Sequence, residues 1–378
     1  MKKNFPLSYI EISKNNLIKN LQLFKKIAKK GTKFSVVIKG NAYGHGQNEI
    51  VKILEPLVDY FQVDSIEELI LLRKNSKKKV FILGYVQKSD IEEAIKLGCV
   101  LSAFSIKELF NINTFAKKLH KIQEVHIPID AHLGREGFLP NMLPKLFVEI
   151  KKCKNVKLTG IYAHFANIED TNNFTHAEKQ IERYKEAISL AEKYGFTNLD
   201  THISATSGLL VYERNKGIHP IIRLGIGVYG LWPSEHIKFL YKNKLKLFPV
   251  LSWKTHIALV KNLPAGHTVG YGLSFTTYKP IKIAVIPQGY ADGYNRSLSN
   301  EGEVLIRGKK CRILGRVAMN MFVVDVTKVK DVKDEDEVVL LGTQGRNTIN
   351  AENLAEMAGT INYEVTSRIS ALLPRVII

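Results

Sequence analysis

The chain has 378 residues, 45% hydrophobic and 24% charged, which is long enough for about two globular domains. No segment approaches the roughly 18 apolar residues of a membrane span, and Asn4–Lys14 lacks the apolar core of a signal peptide, so we expect a soluble cytoplasmic protein without membrane contact. The net charge of +19 comes from scattered lysine groups, which favours a solvated lysine-rich surface over a nucleic-acid-binding face.

From the N-terminus to about residue 235, short apolar runs alternate with longer amphipathic stretches, as in repeated βα units around a parallel sheet. Leu17, Leu21, Phe24 and Ile27 have helical spacing, with Ser13 in the N-cap position. The predicted strands are 34–38, 60–64, 80–83, 99–104, 124–130, 158–163, 200–204 and 221–229. About eight such units predict a (β/α)₈ barrel, although an open doubly wound sheet gives a similar pattern.

After residue 245 the pattern changes to strands without long helices between them. The strands predicted there are 250–260, 281–286, 304–306, 322–326 and 337–341. A late helix is predicted over 351–358, with Asn350 as its N-cap and Gly359 at its end. We therefore predict two domains, a barrel over residues 1–240 and a mostly β domain over 241–378.

Reactive residues of a parallel barrel lie at the C-terminal ends of its strands. Lys39 follows the first predicted strand and precedes a glycine-rich turn, which indicates close approach of a ligand. A lysine there can form a Schiff base, act as a general base or bind a phosphate, and its position alone does not distinguish these roles. The other polar residues at predicted strand ends are Asp130, Arg135, His164, Thr206, Ser207 and Arg223.

Several common functional motifs are excluded, either because they stand at the wrong place in the sequence or because they do not occur. Residues 225–230 match the G-x-G-x-x-G pattern but follow the last barrel strand instead of the first, which argues against a dinucleotide site, while their NH groups can still bind a terminal phosphate. No G-x-S-x-G hydrolase elbow occurs. The spacings of His126, His132, His164 and His202 match no zinc pattern, so no metal is expected, and three widely spaced cysteines argue against a disulfide framework.

A series of collinear segments resembles the alanine racemase family along nearly the whole chain. The first, 37–46, is similar to the family's cofactor-lysine signature around Lys39. The later segments are 159–166, 223–226, 269–272, 289–293, 315–320 and 360–365. The resemblance implies an N-terminal (β/α)₈ barrel followed by a β domain, and a head-to-tail homodimer whose active sites are built from both chains.

The resemblance also implies the chemistry, which is two-base racemisation of L-alanine and D-alanine with pyridoxal 5′-phosphate as cofactor. Lys39 would form the Schiff base and act on the D-enantiomer, and Tyr271 of the partner subunit would act on the L-enantiomer. The cofactor stabilises the α-carbanion once the proton leaves, so the protein must place one base on each face. The product D-alanine would supply peptidoglycan synthesis.

The remaining roles are carried over position by position from the same resemblance. Arg223 would face the pyridine nitrogen and, with His164, favour the Tyr271 phenolate. Positions that match phosphate-binding residues are Tyr43, Thr206, Gly225, Ile226 and Tyr363. Positions that match contacts to the substrate carboxylate are Arg135 and Met319, and those that match the substrate corridor are Tyr290, Arg296 and Arg316.

Some positions depart from the family pattern. Pro128 stands where many members have a carbamylated lysine that orients the arginine matched by Arg135, so the orientation of Arg135 is unexplained. Ala205-Thr206 replaces a common Asn-Ser, and Asn320 replaces aspartate. A racemase for serine, lysine or a broader set of amino acids is therefore an alternative. A non-catalytic carrier of the cofactor and a basic nucleic-acid-binding protein are two further hypotheses.

Overall fold

The structure, a computed structural model, describes residues 6–213 and 220–378. The described residues form two compact units. The barrel unit consists of residues 18–39, 50–213 and 220–247. The β unit consists of residues 6–17, 40–49 and 248–378.

The barrel unit is built on eight parallel strands. The first strand of the chain, β1 (Tyr9–Ile12), belongs to the β unit. The barrel strands are β2 (Lys33–Val37), β3 (Tyr60–Val63), β4 (Val80–Ile82), β5 (Val100–Ser102), β6 (Gln123–Pro128), β7 (Val156–Tyr162), β8 (Asp200–His202) and β9 (Ile221–Leu224). They pair in the order β8-β7-β6-β5-β4-β3-β2-β9. At the seam between β8 and β9, the Arg223 N–H donates to the Ser204 carbonyl over 3.0 Å. The sheet is therefore a nearly closed barrel.

Helices connect the barrel strands. The α-helices of six or more residues in the described part of the chain are Lys14–Ile27, Gln47–Leu54, Ile66–Arg73, Ile91–Leu97, Ile106–Lys118, Leu143–Lys152, Thr175–Lys193, Glu235–Tyr241, Ala351–Ala358 and Asn362–Ser367. The first begins after Ser13, whose Oγ accepts the Asn16 N–H over 3.3 Å, as predicted for an N-cap. Across residues 6–213 and 220–378, no helix is both long and apolar enough to cross a membrane.

The β unit contains mostly antiparallel strands. They are β1 together with β10 (Leu251–His256), β11 (Leu259–Leu263), β12 (Thr268–Val269), β13 (Phe275–Thr276), β14 (Ile281–Ile286), β15 (Glu303–Ile306), β16 (Lys309–Leu314), β17 (Phe322–Asp325), β18 (Glu337–Gln344), β19 (Asn347–Ile349) and β20 (Arg375–Ile377). The large sheet runs β11-β14-β17-β16-β15-β18-β10-β1-β20, with β19 beside β18. The predicted fold class, a (β/α)₈ barrel followed by a mostly β region, is confirmed.

Buried aromatic residues anchor the core of the β unit. Tyr294 stacks on Phe322 with ring centroids 4.9 Å apart and meets the edge of Trp253 at 5.9 Å. The Trp253 Nε1 donates to Gln288 Oε1 over 2.9 Å, so this buried indole keeps a hydrogen bond. The predicted helix Ala351–Ala358 is confirmed, because the Asn350 side chain accepts the Asn353 N–H and Gly359 ends the helix in the left-handed conformation.

Some predicted strand bounds are wrong. The strand predicted over 221–229 ends at Leu224, because Gly225 turns the chain and Ile226–Tyr229 winds into a 3₁₀ helix. The strand predicted over 250–260 is two strands, β10 and β11, which pair with different neighbours. β16 was missed because its exposed positions, including Lys310 and Arg312, are charged, although Cys311 and Ile313 alternate with them in the core.

Candidate active site

Lys39 lies just beyond the C-terminal end of β2 in the barrel unit. Its Nζ is 3.2 Å from Oδ1 of Asp64, which directly follows β3. Both side chains are about half exposed, at 42% and 48%, so the amine is ion-paired but reachable from solvent. We use "barrel mouth" for this end of the barrel and for the residues Lys39, Asp64, Arg135, His164 and Arg223.

Arg223 is a buried cation at the barrel mouth. Its Nη2 lies 2.6 Å from the Ala163 carbonyl and 2.8 Å from the Ile203 carbonyl, both of which accept. Its Nε has no hydrogen-bond partner in the described part of the chain. Burial lowers the pKa of Arg223 to about 10, so the guanidinium stays charged at neutral pH. A buried, charged donor without an acceptor is costly and fits a ligand atom that accepts a hydrogen bond.

His164 is a neutral imidazole among the charges of the barrel mouth. Arg223 Nη2 donates to its Nδ1 over 3.1 Å, so the proton of the ring lies on Nε2. Burial, together with the charges of Arg223 and Arg135, lowers the pKa of His164 to about 3. The charge of Glu136 raises this pKa and the charge of Lys39 lowers it, both by less than burial does. His164 therefore remains uncharged at physiological pH.

A second set of polar groups lies where β8 and β9 end. Thr206 begins the short helix Thr206–Gly208, and its Oγ1 accepts the Gly227 N–H over 3.2 Å. Gly225 is the N-cap of the 3₁₀ helix Ile226–Tyr229. The first NH groups of a helix have no partner within it, and together with a hydroxyl they suit a phosphate.

Arg135 forms a two-pronged ion pair with its neighbour in the sequence. Its Nε contacts Glu136 Oε2, and its Nη2 lies 2.6 Å from Glu136 Oε1. Burial raises the pKa of the Glu136 carboxyl, but the hydrogen bond from Arg135, a backbone hydrogen bond and the charge of Arg135 together outweigh it, so the net pKa is lowered. Glu136 therefore stays anionic at neutral pH and holds one edge of the Arg135 guanidinium.

The turn after Lys39 has an uncommon backbone. Gly40, Asn41, Ala42 and Tyr43 all have φ between 53° and 60°, so the chain makes a left-handed turn that costs L-residues roughly 1–2 kcal/mol each. The turn belongs to the β unit. The Gly44 N–H donates to the Gly40 carbonyl over 2.9 Å. Such strain persists only where the surrounding contacts hold it, which is typical of functional sites.

His45 and Arg375 hold this turn. The His45 Nδ1 lies 3.1 Å from the Ala42 carbonyl and 3.0 Å from the Tyr43 carbonyl, and it donates because a carbonyl can only accept. Arg375 Nη2 donates to the Gly44 carbonyl over 2.9 Å. The turn is thereby fixed by hydrogen bonds that arise from its own sequence and from β20.

Gly44 is the position in this turn where a side chain fits least. It has φ +83°, and an added Cβ would lie 1.8 Å from the Thr366 carbonyl oxygen. Gly44→Ala is expected to lower the free energy of unfolding by more than about 2 kcal/mol in a urea titration. Gly31→Ala is the matched control, since Gly31 has φ +90° but nothing within 4 Å of an added Cβ. Equal losses in the two variants would mean that the contact with Thr366 is unimportant.

His45 makes stability depend on pH. Burial lowers the pKa of His45 from 6.5 to about 4, with a smaller contribution from Arg375. The unfolded chain therefore binds a proton first, so the contribution of His45 is complete above pH 6.5 and is lost as the pH falls towards 4. In urea titrations between pH 7 and 4.5, His45→Asn should lose up to about 1.4 kcal/mol per pH unit of this dependence. Identical pH slopes for the variant and the parent would contradict the assignment.

Two predicted phosphate-binding tyrosines approach each other in the β unit. The rings of Tyr43 and Tyr363 have centroids 5.9 Å apart and are tilted by 56°. Tyr43 ends the left-handed turn, and Tyr363 lies in the helix Asn362–Ser367. Both phenols therefore belong to the β unit, and the contact between their rings holds them beside each other.

The other predicted site residues of the β unit lie in two groups. The first is Tyr271 with Arg316, and the second is Met319 with Tyr290 and Arg296. Tyr271 is 74% exposed in a short turn between Gly270 and Gly272, and a Cβ added at Gly272 would lie 2.7 Å from the Arg316 guanidinium carbon. In the second group, the Ala291 N–H donates to the Met319 carbonyl over 2.9 Å, one residue after Tyr290.

A cavity of about 430 Å³ adjoins the second group, and both Tyr290 and Arg296 line it. Glu364 and Arg368 lie on the same cavity and are joined by an ion pair of 3.1 Å. The cavity therefore contains charges of both signs, which suits a zwitterionic small molecule.

Two family profiles match the chain. The profile described as "Alanine racemase, N-terminal domain" matches residues 12–233, and "Alanine racemase, C-terminal domain" matches residues 250–377. The chain belongs to the alanine racemase family. Both parts of the family's architecture are therefore present in this chain.

Individual members of the alanine racemase family match over nearly their whole length. The alanine racemase of Leptospira interrogans is 35% identical over 380 residues, covering 98% of this chain and 96% of that protein. The solved alanine racemase of Clostridium difficile 630 has a TM-score of 0.92 and 32% identity, covering 100% of this chain and 97% of that one. The Bartonella henselae alanine racemase, solved with covalently bound pyridoxal phosphate, has a TM-score of 0.86 and 25% identity over 99% and 100% of the two chains.

The structure groups the predicted alanine racemase site residues within each unit. Lys39, Arg135, His164 and Arg223 lie at the barrel mouth, and Thr206 lies with Gly225 and Ile226 at strand ends of the same barrel. Within the β unit, Tyr43 contacts Tyr363, and the backbone of Met319 is bonded beside Tyr290. The roles assigned to all these residues stay predictions.

Two carboxylates of this site, Asp64 and Glu136, were not among the predicted site residues. Asp64 ends a predicted strand, so the criterion that selected Lys39 could also have found it. Glu136 carries no such signal, because its contact with Arg135 depends on the path of the loop between β6 and the next helix. The predicted strand-end residue Asp130 has a structural role, since its Oδ1 accepts the N–H groups of Leu133 and Gly134 over 3.0 Å.

Proposed function

We propose that this protein is a pyridoxal 5′-phosphate-dependent racemase that interconverts L-alanine and D-alanine. The observation that carries the proposal is the barrel mouth, where an accessible lysine lies with the buried guanidinium of Arg223, whose Nε donor has no partner in the described part of the chain. Relatives that are named alanine racemases match nearly the whole chain, and this supports the choice of alanine as substrate. We further propose that the barrel domain extends over 1–240 and the β domain over 241–378, and that the protein supplies D-alanine for peptidoglycan in the cytoplasm.

The residues present fit the cofactor. Arg223 Nε is a buried donor without a partner in the described chain, and the pyridine nitrogen is an acceptor of the required kind. A guanidinium does not give up its proton, so it leaves that nitrogen unprotonated. The phosphate needs hydroxyl and NH donors, and within the barrel unit these are present in Thr206, Gly225 and Ile226. Lys39 supplies the amine that binds the aldehyde.

When bound, pyridoxal phosphate withdraws electrons from the substrate and so acidifies its α-proton. The chain itself must then provide a base on each side of the α-carbon. Lys39 Nζ takes or returns the proton on the D side, and the phenol oxygen of Tyr271 does so on the L side. His164 is neutral and already accepts from Arg223, so its Nε2–H is the group with which it can stabilise a phenolate.

We propose that Tyr271 acts in the active site of a second copy of the chain. Its side chain is 74% exposed, and Leu273 in the same turn is 69% exposed, which is typical of residues that a partner covers. Gly270 and Gly272 give the turn positive φ values of 72° and 71°, which fix its shape. Such a homodimer contains two equivalent active sites, each with residues from both subunits.

The substrate carboxylate would be held by Arg135. A guanidinium matches the planar carboxylate with two parallel hydrogen bonds, whereas a lysine offers a point charge. Tyr290, Arg296 and Arg316 would form the corridor through which the amino acid enters. Because two of these groups are cationic, the corridor favours the carboxylate end of the substrate.

The decisive experiment measures exchange of the substrate's α-proton with solvent. Cofactor-loaded protein is incubated in deuterated water with L-alanine, L-serine or L-lysine, and loss of the α-proton signal and formation of the D-form are measured. We expect the fastest exchange with alanine. Faster exchange with serine or lysine would support the broader racemase, and cofactor binding without any exchange would support a non-catalytic carrier.

A further inference from the structure

The loop between β6 and the following helix holds Arg135 in a defined place. The Phe138 N–H donates to the Pro128 carbonyl over 2.9 Å, and the Asp130 N–H donates to the Phe138 carbonyl over 3.1 Å, so the ends of the loop are tied together. Gly137 has φ +122°, and an added Cβ there would lie 2.4 Å from the Asp130 nitrogen. The backbone beside Glu136 is therefore fixed by close contact with the strand end.

Three carboxylates lie near Arg135, and two of them are already engaged. Asp64 pairs with Lys39 at 3.2 Å. Asp130 accepts two backbone N–H groups within its own loop, so it serves the turn. Glu136 is the carboxylate that reaches the Arg135 guanidinium, and its side chain is less exposed than that of Arg135, at 24% against 60%. The more buried partner of this pair is thus the anion.

The geometry of the pair leaves part of Arg135 available. Glu136 contacts Nε and Nη2, which form one edge of the planar guanidinium. The Nη1 hydrogens point away from this edge because the guanidinium is planar and rigid. At the end of β6, Pro128 has no side-chain group that can carry a charge or accept a hydrogen bond. The loop therefore has its own anion in Glu136, while the strand supplies none at residue 128.

We propose that Glu136 is a positioning residue for substrate binding, which orients Arg135 so that its free Nη1 edge meets the carboxylate of the amino acid. The inference rests on the proposed function, because it gives Arg135 the role of carboxylate ligand. Glu136 acts only through Arg135 and does not itself touch the substrate. In this chain it takes the orienting role that residue 128 cannot fill as a proline.

The test compares Glu136→Gln, Glu136→Asp and the parent. Glu136→Gln keeps the size of the side chain but loses its charge, so Arg135 should lose its fixed orientation. We expect KM for L-alanine to rise about tenfold with a smaller change in kcat, because a charge-assisted contact to the carboxylate weakens. Glu136→Asp should recover part of this loss. Glu149→Gln removes an exposed helical ion pair with Lys152 and is the matched control.

A second measurement does not depend on turnover. Propionate has the carboxylate of alanine without its amine, and its binding to the cofactor-loaded protein can be followed by calorimetry. Glu136→Gln should weaken propionate binding about tenfold, with an unchanged thermal midpoint. Equal or tighter binding by Glu136→Gln would overturn the inference, since Glu136 would then be inert or would oppose the carboxylate.

The two proposals fail in different ways. If the parent protein exchanges the α-proton of alanine but Glu136→Gln has the same KM and the same propionate affinity, only the role of Glu136 is wrong. If the parent does not exchange any amino acid, the proposed function is wrong, and propionate binding still tests whether Glu136 orients Arg135.

Discussion

Lys39→Ala is expected to abolish both covalent attachment of pyridoxal phosphate and racemisation. The variant loses the amine that binds the cofactor aldehyde and also the base on the D side, so the rate should fall by more than about 10³-fold. The first effect is measured as loss of visible absorption from the protein after gel filtration, and the second by α-proton exchange in deuterated water. The loss of one positive charge also frees Asp64 from its ion pair.

Lys79→Ala is the control for Lys39→Ala. Lys79 precedes β4, at the opposite end of the barrel strands, and pairs with Glu124 at 2.6 Å. This variant should retain the visible absorption and the exchange rate. Covalent cofactor in Lys39→Ala would show that another amine carries it, and the central assignment of the site would then be wrong.

The barrel strands and their order along the chain could be predicted from the sequence, but the ends of some strands could not. Alternation of apolar runs with amphipathic stretches is a property of the sequence itself, so the eight barrel strands were all detected. The end of β9 was not, because Gly225 to Tyr229 are as apolar as a strand and only the three-dimensional path shows the 3₁₀ turn. β16 was missed for the opposite reason, since its charged outer positions, such as Lys310, hide the alternation.

The site residues that could be predicted are those that barrel strands carry to the same end of the barrel. Lys39, His164 and Arg223 follow or lie in barrel strands, and strand order brings them together. The left-handed turn was not predictable, because Ala42 and Tyr43 do not favour positive φ and are held there by contacts such as that between Gly44 and Arg375, 331 residues away in sequence. Sequence spacing alone cannot supply such long-range contacts.

Tyr271→Phe is expected to keep the cofactor and to lose racemisation in both directions, while α-proton exchange is lost from L-alanine and kept by D-alanine. The phenylalanine ring fills the same space but has no oxygen that can take a proton, so exchange from L-alanine should fall by about 10²-fold or more. The visible absorption of the bound cofactor should not change, in contrast to Lys39→Ala. Tyr278→Phe is the control, because Tyr278 is 83% exposed and lies seven residues away. Equal losses of α-proton exchange from L-alanine and from D-alanine would contradict the two-base assignment.

Mixing the two inactive variants tests whether the active site is shared between subunits. In a dimer of one Lys39→Ala chain and one Tyr271→Phe chain, a shared arrangement puts both defects in one active site and leaves the other intact. Random reassociation of equal amounts makes half of the dimers mixed, so about a quarter of the parent activity should return. If Lys39 and Tyr271 act within the same chain, every site has one defect and no activity returns. The recovered activity therefore separates a shared site from two independent ones, even though each variant alone is inactive.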